Sequence, residues 1–360
     1  MKDLQNTPIS NNKLRQPNIE LLRLVAIILI SFMHGIKCAY GSENQLNAIS
    51  FVLVNAVGNM GVTVFILISG YFGIQSKVSK LFRLWGIILF YSLLLFFVSI
   101  YLSGQELPYI FYTKSFYKDL YTALTPITSG TWWFFTSYTI LFMLAPLFNK
   151  AADCMTKRQF LYLIVVLLFF YSISPTFLMH SLSNTPNGKC TENMILAYFI
   201  GRYIAKYGIP DTIRHHAFSI WGGCLLLISF IDYFIFDPLF MAKDHNLFII
   251  IGALCLFLYF HKSNIHHPNI DHVICYIATY VFPIYLLNWK LIEYLEPLYI
   301  GYSNENSFMY RFLLVQIGII TISIMIEWIR RILFDKSIHK IEKYINDKTT
   351  PVFNNIFYSK

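Results

Sequence analysis

The chain alternates long apolar runs with short polar connections. Ten runs can be read, at residues 19–40, 49–74, 84–103, 131–149, 160–179, 194–208, 217–236, 246–261, 273–292 and 308–329. Most are close to the roughly 20 residues that carry an α-helix across a bilayer core, and the sixth and eighth are shorter. The pattern predicts an all-α, polytopic membrane protein with about ten transmembrane helices in one bundle. Pro283 should kink the ninth helix, because its ring removes a backbone donor and frees a carbonyl. Residues 1–18 read as a cytoplasmic tail, 19–331 as the transmembrane domain and 332–360 as a second cytoplasmic tail. Within that last tail, IHKIEKYINDK suggests a short amphipathic helix on the inner surface. No internal repeat is visible, which weighs against a transporter built from duplicated halves.

Composition agrees with this pattern. Of 360 residues, 56% are hydrophobic and 13% charged, and mean hydropathy is +0.54. A soluble domain carries about 25% charged residues. The 18% aromatic content is that of lipid-facing Phe and interfacial Tyr. The net charge of +9 does not point to nucleic acid, because the basic residues sit in the connections. With the N-terminus inside, cytoplasmic segments hold 19 basic residues and outer segments seven, so both termini are expected in the cytoplasm. The first run is long and lacks a clean cleavage site, and reads as a retained span. The expected location is the bacterial cytoplasmic membrane, as a multi-pass protein. Cys38, Cys154, Cys190, Cys224, Cys255 and Cys275 are isolated, with no C-x-x-C, so neither a zinc site nor a disulfide framework is supported.

The first run carries the clearest chemistry. NIELLRLVAIILISFMHGIKCAY places Glu20, Arg23 and His34 in an apolar helix. Eleven steps of ~100° come to three turns plus ~20°, so Arg23 and His34 share a face. Glu20 is placed to pair with Arg23. Ionisable residues inside a span mark function by default. A neutral imidazole, with an ordinary pKa of ~6.5, is a suitable general base. The competing reading is a polar helix contact with Arg23 snorkelling to the interface.

A second group follows in GVTVFILISGYFGIQSKVSKLFRLW. Ser69, Gly70 and Tyr71 end a span, and Lys77, Lys80 and Arg83 follow on the cytoplasmic side. Three cations in seven residues suit the phosphates of a nucleotide-type cofactor, although each also serves as an ordinary positive-inside anchor. Trp132 and Trp133 stand at an outer membrane edge. The interfacial belt is the favoured reading for the pair, and stacking on a sugar ring is the alternative. The polar connections 104–130 and 180–193 could border an entrance. The stretch HKSNIHHPNIDH and the pair His215-His216 lack the spacing of a metal site. No G-x-S-x-G, P-loop or H-E-x-x-H is present.

These motifs together resemble the integral-membrane acyltransferase 3 family, which includes bacterial O-acetyltransferases of surface polysaccharides. Arg23-x10-His34 matches the family's first-helix pattern, and VFILISGYFG its segment ending Ser-Gly-Phe/Tyr. TWWFFTSYTILFMLAPLF resembles its Trp-containing helix leading to a proline, here Pro146, and YFIGRYIAKYG its Gly-centred helix end. FPIYLLNW resembles its late Tyr-Leu-Ile-His segment and brings in Tyr285 and Asn288 as substrate-side candidates. The resemblance implies transfer of an acyl group, typically acetyl from cytoplasmic acetyl-CoA, to a carbohydrate hydroxyl of a surface or lipid-linked glycan. His34 would be the catalytic histidine, with Arg23 supporting it or the donor and Glu20 holding Arg23. Acyl-CoA would be a donor substrate, and no permanently bound cofactor or metal is expected. Its nucleotide end would stay at the inner face near Lys80 and Arg83. Lys80 stands where the family has the first arginine of Arg-x-x-Arg, which keeps the charge without the bidentate fork. Asn288 stands where the family often has His, and it can hydrogen-bond without shuttling a proton. The rival reading is a transporter or flippase for a glycan or lipid that uses the buried Arg and His as substrate or proton sites.

Overall fold

The structure, a computed structural model, describes residues 16–104, 113–179, 187–236, 239–263 and 267–358. Most of the predicted N-terminal tail, parts of the two polar connections 104–130 and 180–193 and part of the His-rich stretch lie outside the described residues. Helices form at every predicted span: α1 (Pro17–Gly35), α2 (Gln45–Phe72), α3 (Val78–Leu102), α4 (Lys114–Leu124), α5 (Trp133–Cys154), α6 (Lys157–Leu168), α7 (Thr191–Tyr207), α8 (Asp211–His215), α9 (Ala217–Phe234), α10 (Leu247–Lys262), α11 (Pro268–Ile277), α12 (Val281–Leu295) and α13 (Phe308–Tyr358). Among the described residues there is no strand. Seven helical segments are long and apolar enough to cross a membrane, and α10 is a shorter apolar helix. The protein is thus an all-α polytopic membrane protein.

The bundle is arranged around α2. Of its most apolar stretch 72% is buried in protein, against 17% for α3, so α2 is central and α3 peripheral. Helices α1, α7 and α10 pack on it. Without a hydrophobic drive between helices in lipid, small residues let backbones come close. Gly70 and Gly201 do this reciprocally. A Cβ on Gly70 would stand 2.2 Å from the Tyr198 carbonyl oxygen, and one on Gly201 2.4 Å from that of Leu67. The start of α1 is tied to the end of α10, where the Asn18 amide donates to the Phe260 carbonyl at 3.0 Å.

Three expectations change. The first run does not stay helical to Tyr40: α1 ends at Gly35 and a 3-10 turn covers Ile36–Ala39. The ninth run is broken rather than merely kinked. A 3-10 turn at Ala278–Tyr280 separates α11 from α12, and Pro283 falls in the first turn of α12. There its missing N–H costs nothing and its ring avoids a helical carbonyl behind it. The tail after Arg331 is not a separate amphipathic helix, since α13 runs unbroken from Phe308 to Tyr358. No Gly or Pro interrupts the sequence between Gly318 and Pro351. Its C-terminal half packs on α3, with Arg83 paired to Glu342 at 3.4 Å and the Ser79 hydroxyl donating to Asn346 at 3.3 Å. Deeper in, Glu327 accepts from Tyr91 at 2.6 Å and from Arg330 and Arg331, each at 2.7 Å. That knot fastens α13 to α3.

The α2–α7 contact gives a stability prediction. Gly201→Ala should cost about 1–3 kcal/mol, because the added methyl meets backbone that cannot step aside. Gly223→Ala, where nothing lies within 4 Å, should be neutral. The temperature of half-loss of the monodisperse peak in detergent size-exclusion chromatography checks both.

Candidate active site

A cavity of about 280 Å³ opens inside the bundle, walled by α1, α2, α5, α12, Leu84 of α3 and two connections. Arg23 and His34 both line it, as do Ser69, Trp133 and Tyr285 from the sequence candidates. Its wall also includes Asn59, Tyr138, Lys189 and Asp244, which sequence reasoning passed over.

His34 sits in the last turn of α1. Its Nδ1 lies 3.0 Å from Asn288 Oδ1. The orientation of that amide follows from its other partner: Asn288 Nδ2 donates to Ser31 Oγ at 2.5 Å, and Ser31 Oγ donates onward to Gln316 Oε1 at 2.8 Å. Asn288 therefore presents an acceptor oxygen to the imidazole, and Nδ1 carries the hydrogen. The neutral ring keeps its lone pair on Nε2. Trp289 meets the imidazole edge-on at 5.7 Å, and the Lys37 ammonium stands 4.3 Å from the Trp289 ring centre. Asn288, a substrate-side candidate from sequence, thus touches the histidine itself.

Arg23 lies three turns before His34 on α1. Its guanidinium pairs with Glu20 at 2.7 Å, with Glu20 buried and Arg23 one-third exposed. Glu20 does not line the cavity; it holds Arg23 from behind. Nearby, the Tyr138 phenol meets Ser69 and faces the Arg23 charge. Ser69 donates its own hydrogen to the Phe65 carbonyl at 2.9 Å, so its lone pairs remain for Tyr138. Phe134 stacks on Tyr138 with ring centres 6.0 Å apart and touches Tyr285 at 5.5 Å. Between the two polar ends the wall is therefore apolar and aromatic.

The remaining sequence candidates lie elsewhere. Lys77 and Lys80 are exposed at the start of α3 and do not line the cavity. Arg83 is half-buried against Glu342. Gly70 is filled by the Tyr198 backbone, and the Tyr71 hydroxyl bonds His261 Nε2 at 2.8 Å. Trp132 departs from the belt reading: it is buried, its indole N–H donating to the Leu286 carbonyl at 3.3 Å. It borders a second cavity of about 530 Å³ between α3, α4 and α12. Trp133 turns instead into the first cavity, with the Lys189 ammonium 5.7 Å from its ring centre.

Asp244 comes from the connection between α9 and α10. Burial pushes its carboxyl up to about 7, with the Lys189 charge pulling the other way. Nothing in the local sequence KDHN distinguishes it, since acids are ordinary in polar connections. Tyr138 was equally hidden, as one of 25 tyrosines. Among the described residues no group of three or more His, Cys, Asp or Glu could hold a metal ion.

No curated protein and no solved structure matches this chain. A family model described as an acyltransferase domain matches residues 16–328. That stretch begins one residue before α1 and ends inside α13, so it contains every residue of the cavity wall. On that match the chain belongs to the acyltransferase 3 family and is a membrane acyltransferase.

Proposed function

We propose that the protein transfers an acetyl group from acetyl-CoA to a hydroxyl of a cell-surface or lipid-linked glycan, with His34 as the general base. The observation that carries this reading is the fixed tautomer of His34, held by Asn288 at 3.0 Å, at one end of a cavity whose other end holds Arg23. The glycan hydroxyl gives its proton to His34 Nε2 as its oxygen attacks the acyl carbonyl. The new C–O bond forms, the thioester C–S bond breaks, and the proton passes from Nε2 to the departing sulfur. Asn288 stays hydrogen-bonded to Nδ1–H and steadies the imidazolium between the two transfers. Arg23 serves the donor end, where its guanidinium attracts the polar part of the acyl donor's arm. The phosphates of acetyl-CoA remain at the inner face, within reach of the exposed Lys77 and Lys80 and of Arg83, because a polyanion does not enter the hydrocarbon. The positive-inside bias supports both termini in the cytoplasm and a place in the bacterial cytoplasmic membrane.

Three measurements test this. In membranes given labelled acetyl-CoA, His34→Ala should lower label in the glycan fraction by about 10²–10⁴-fold, the usual range for a general base. Undiminished labelling, with the variant still in the membrane, overturns the reading. Asn288→Ala should slow the same transfer by roughly 5- to 150-fold, the equivalent of losing one buried hydrogen bond. A green fluorescent protein fused to the C-terminus should fluoresce, and alkaline phosphatase fused there should be inactive; the reverse pattern would invert the topology.

A further inference from the structure

One part of the cavity wall is a carboxylate that no helix carries. Asp244 is 5% exposed, and neither of its oxygens has a hydrogen-bond partner among the described residues. Leaving a buried acceptor unsatisfied costs about 1–3 kcal/mol, and more for a charged one. The surroundings nevertheless hold it firmly in place. Asp232 of α9 accepts from the amides of Met241 and Ala242 at 2.6 and 3.0 Å. Asn59 of α2 donates to the Ala242 carbonyl at 2.9 Å. The Asp244 amide itself donates to the Asn187 carbonyl at 3.1 Å. On the far side, Thr176 accepts from the Leu247 amide at 2.9 Å. Four separate parts of the chain thus pin a segment whose acid has no hydrogen-bond partner among the described residues.

The neighbours narrow what would satisfy it. Lys189 lines the same cavity and already supplies a positive charge, and among the described residues no group of three or more His, Cys, Asp or Glu could hold a metal ion. A carboxylate with both oxygens open is matched by two hydrogen-bond donors side by side. Trp133 and Tyr285 add aromatic surface on which the C–H face of a ring can rest. One alcohol on a lipid chain would fill only one oxygen. Two neighbouring hydroxyls of a sugar ring fill both.

The geometry points to Asp244 as the residue that selects the acceptor: it accepts from two adjacent hydroxyls of a sugar ring, Lys189 and Trp133 complete the subsite, and a further hydroxyl of the ring is turned towards His34. This rests on the acyl-transfer reading above and names the residue that makes the acceptor a saccharide. Asp244 binds and positions the acceptor; it takes no proton in the reaction.

The test uses the purified full chain with labelled acetyl-CoA. Its acceptors are the methyl glycosides of glucose, galactose, mannose and N-acetylglucosamine, their monodeoxy derivatives, and n-octanol. Label should pass to a glycoside and not to octanol. Asp244→Asn and Asp244→Ala should raise the glycoside KM by about tenfold or more while kcat and the KM for acetyl-CoA stay within about threefold. An unchanged acetyl-CoA KM also shows that the variants are folded. The wild type should discriminate against one monodeoxy glycoside, and Asp244→Ala should lose that discrimination. Wild-type glycoside KM in both variants, or octanol labelled as well as the glycosides, overturns the assignment. If His34→Ala is inactive in the same assay, that failure belongs to Asp244 alone; if His34→Ala retains full transfer, the acyl-transfer reading fails instead.

Discussion

The imidazole of His34 has its proton on one nitrogen because of a side chain 254 positions away. Asn288 meets it from α12, and Asn288 is in turn oriented by Ser31 on α1 and, through Ser31, by Gln316 on α13. Three helices are joined by this one line of hydrogen bonds. In a bundle where lipid gives helices little reason to associate, such a line sets register as well as chemistry. Each bond is worth only about 1 kcal/mol net. A break would nevertheless leave a buried amide or hydroxyl unpaired, which costs more than the bond gains. The histidine's tautomer is therefore as firm as the packing of α1, α12 and α13.

The cavity is polar at its ends and apolar between. Arg23 is buttressed by Glu20 at one end, and His34, Lys189 and Asp244 gather with Trp133 towards the other. Phe65, Phe134 and Tyr285 fill the middle. Such a profile suits a long, thin donor whose reacting end must travel away from its charged end. Non-helical backbone also lines the site, in the connections that carry Lys189 and Asp244. Within a membrane protein irregular backbone is tolerated where protein or a cavity covers it, and here Asp232, Asn59 and Thr176 supply the missing partners.

Much of this was legible in one dimension. Spans announce themselves because every backbone group in lipid must bond within its own helix, which demands about 20 apolar residues in a row. The shared face of Arg23 and His34 follows from helical period alone, and Glu20 lies one turn from Arg23 on the same helix. Where the reading departed from the structure, the competing forces were tertiary. Trp132 looked like a belt residue because it stands beside Trp133 at a helix start, yet its indole is buried against the Leu286 carbonyl. The tail past Arg331 looked separate because its composition changes, but no Gly or Pro stands between Gly318 and Pro351 to stop the helix, which runs on to Tyr358.

The sequence by itself determined the fold class, the helical segments and the face that carries Arg23 and His34, because these depend on neighbours within a few turns. The tertiary structure decided which nitrogen of His34 bears the proton, which tryptophan faces the cavity, and that Asp244 stands in its wall. Those outcomes depend on groups brought together from remote helices and connections. No local periodicity encodes such meetings, and a lone acid in a polar loop carries no mark of where the chain will bury it.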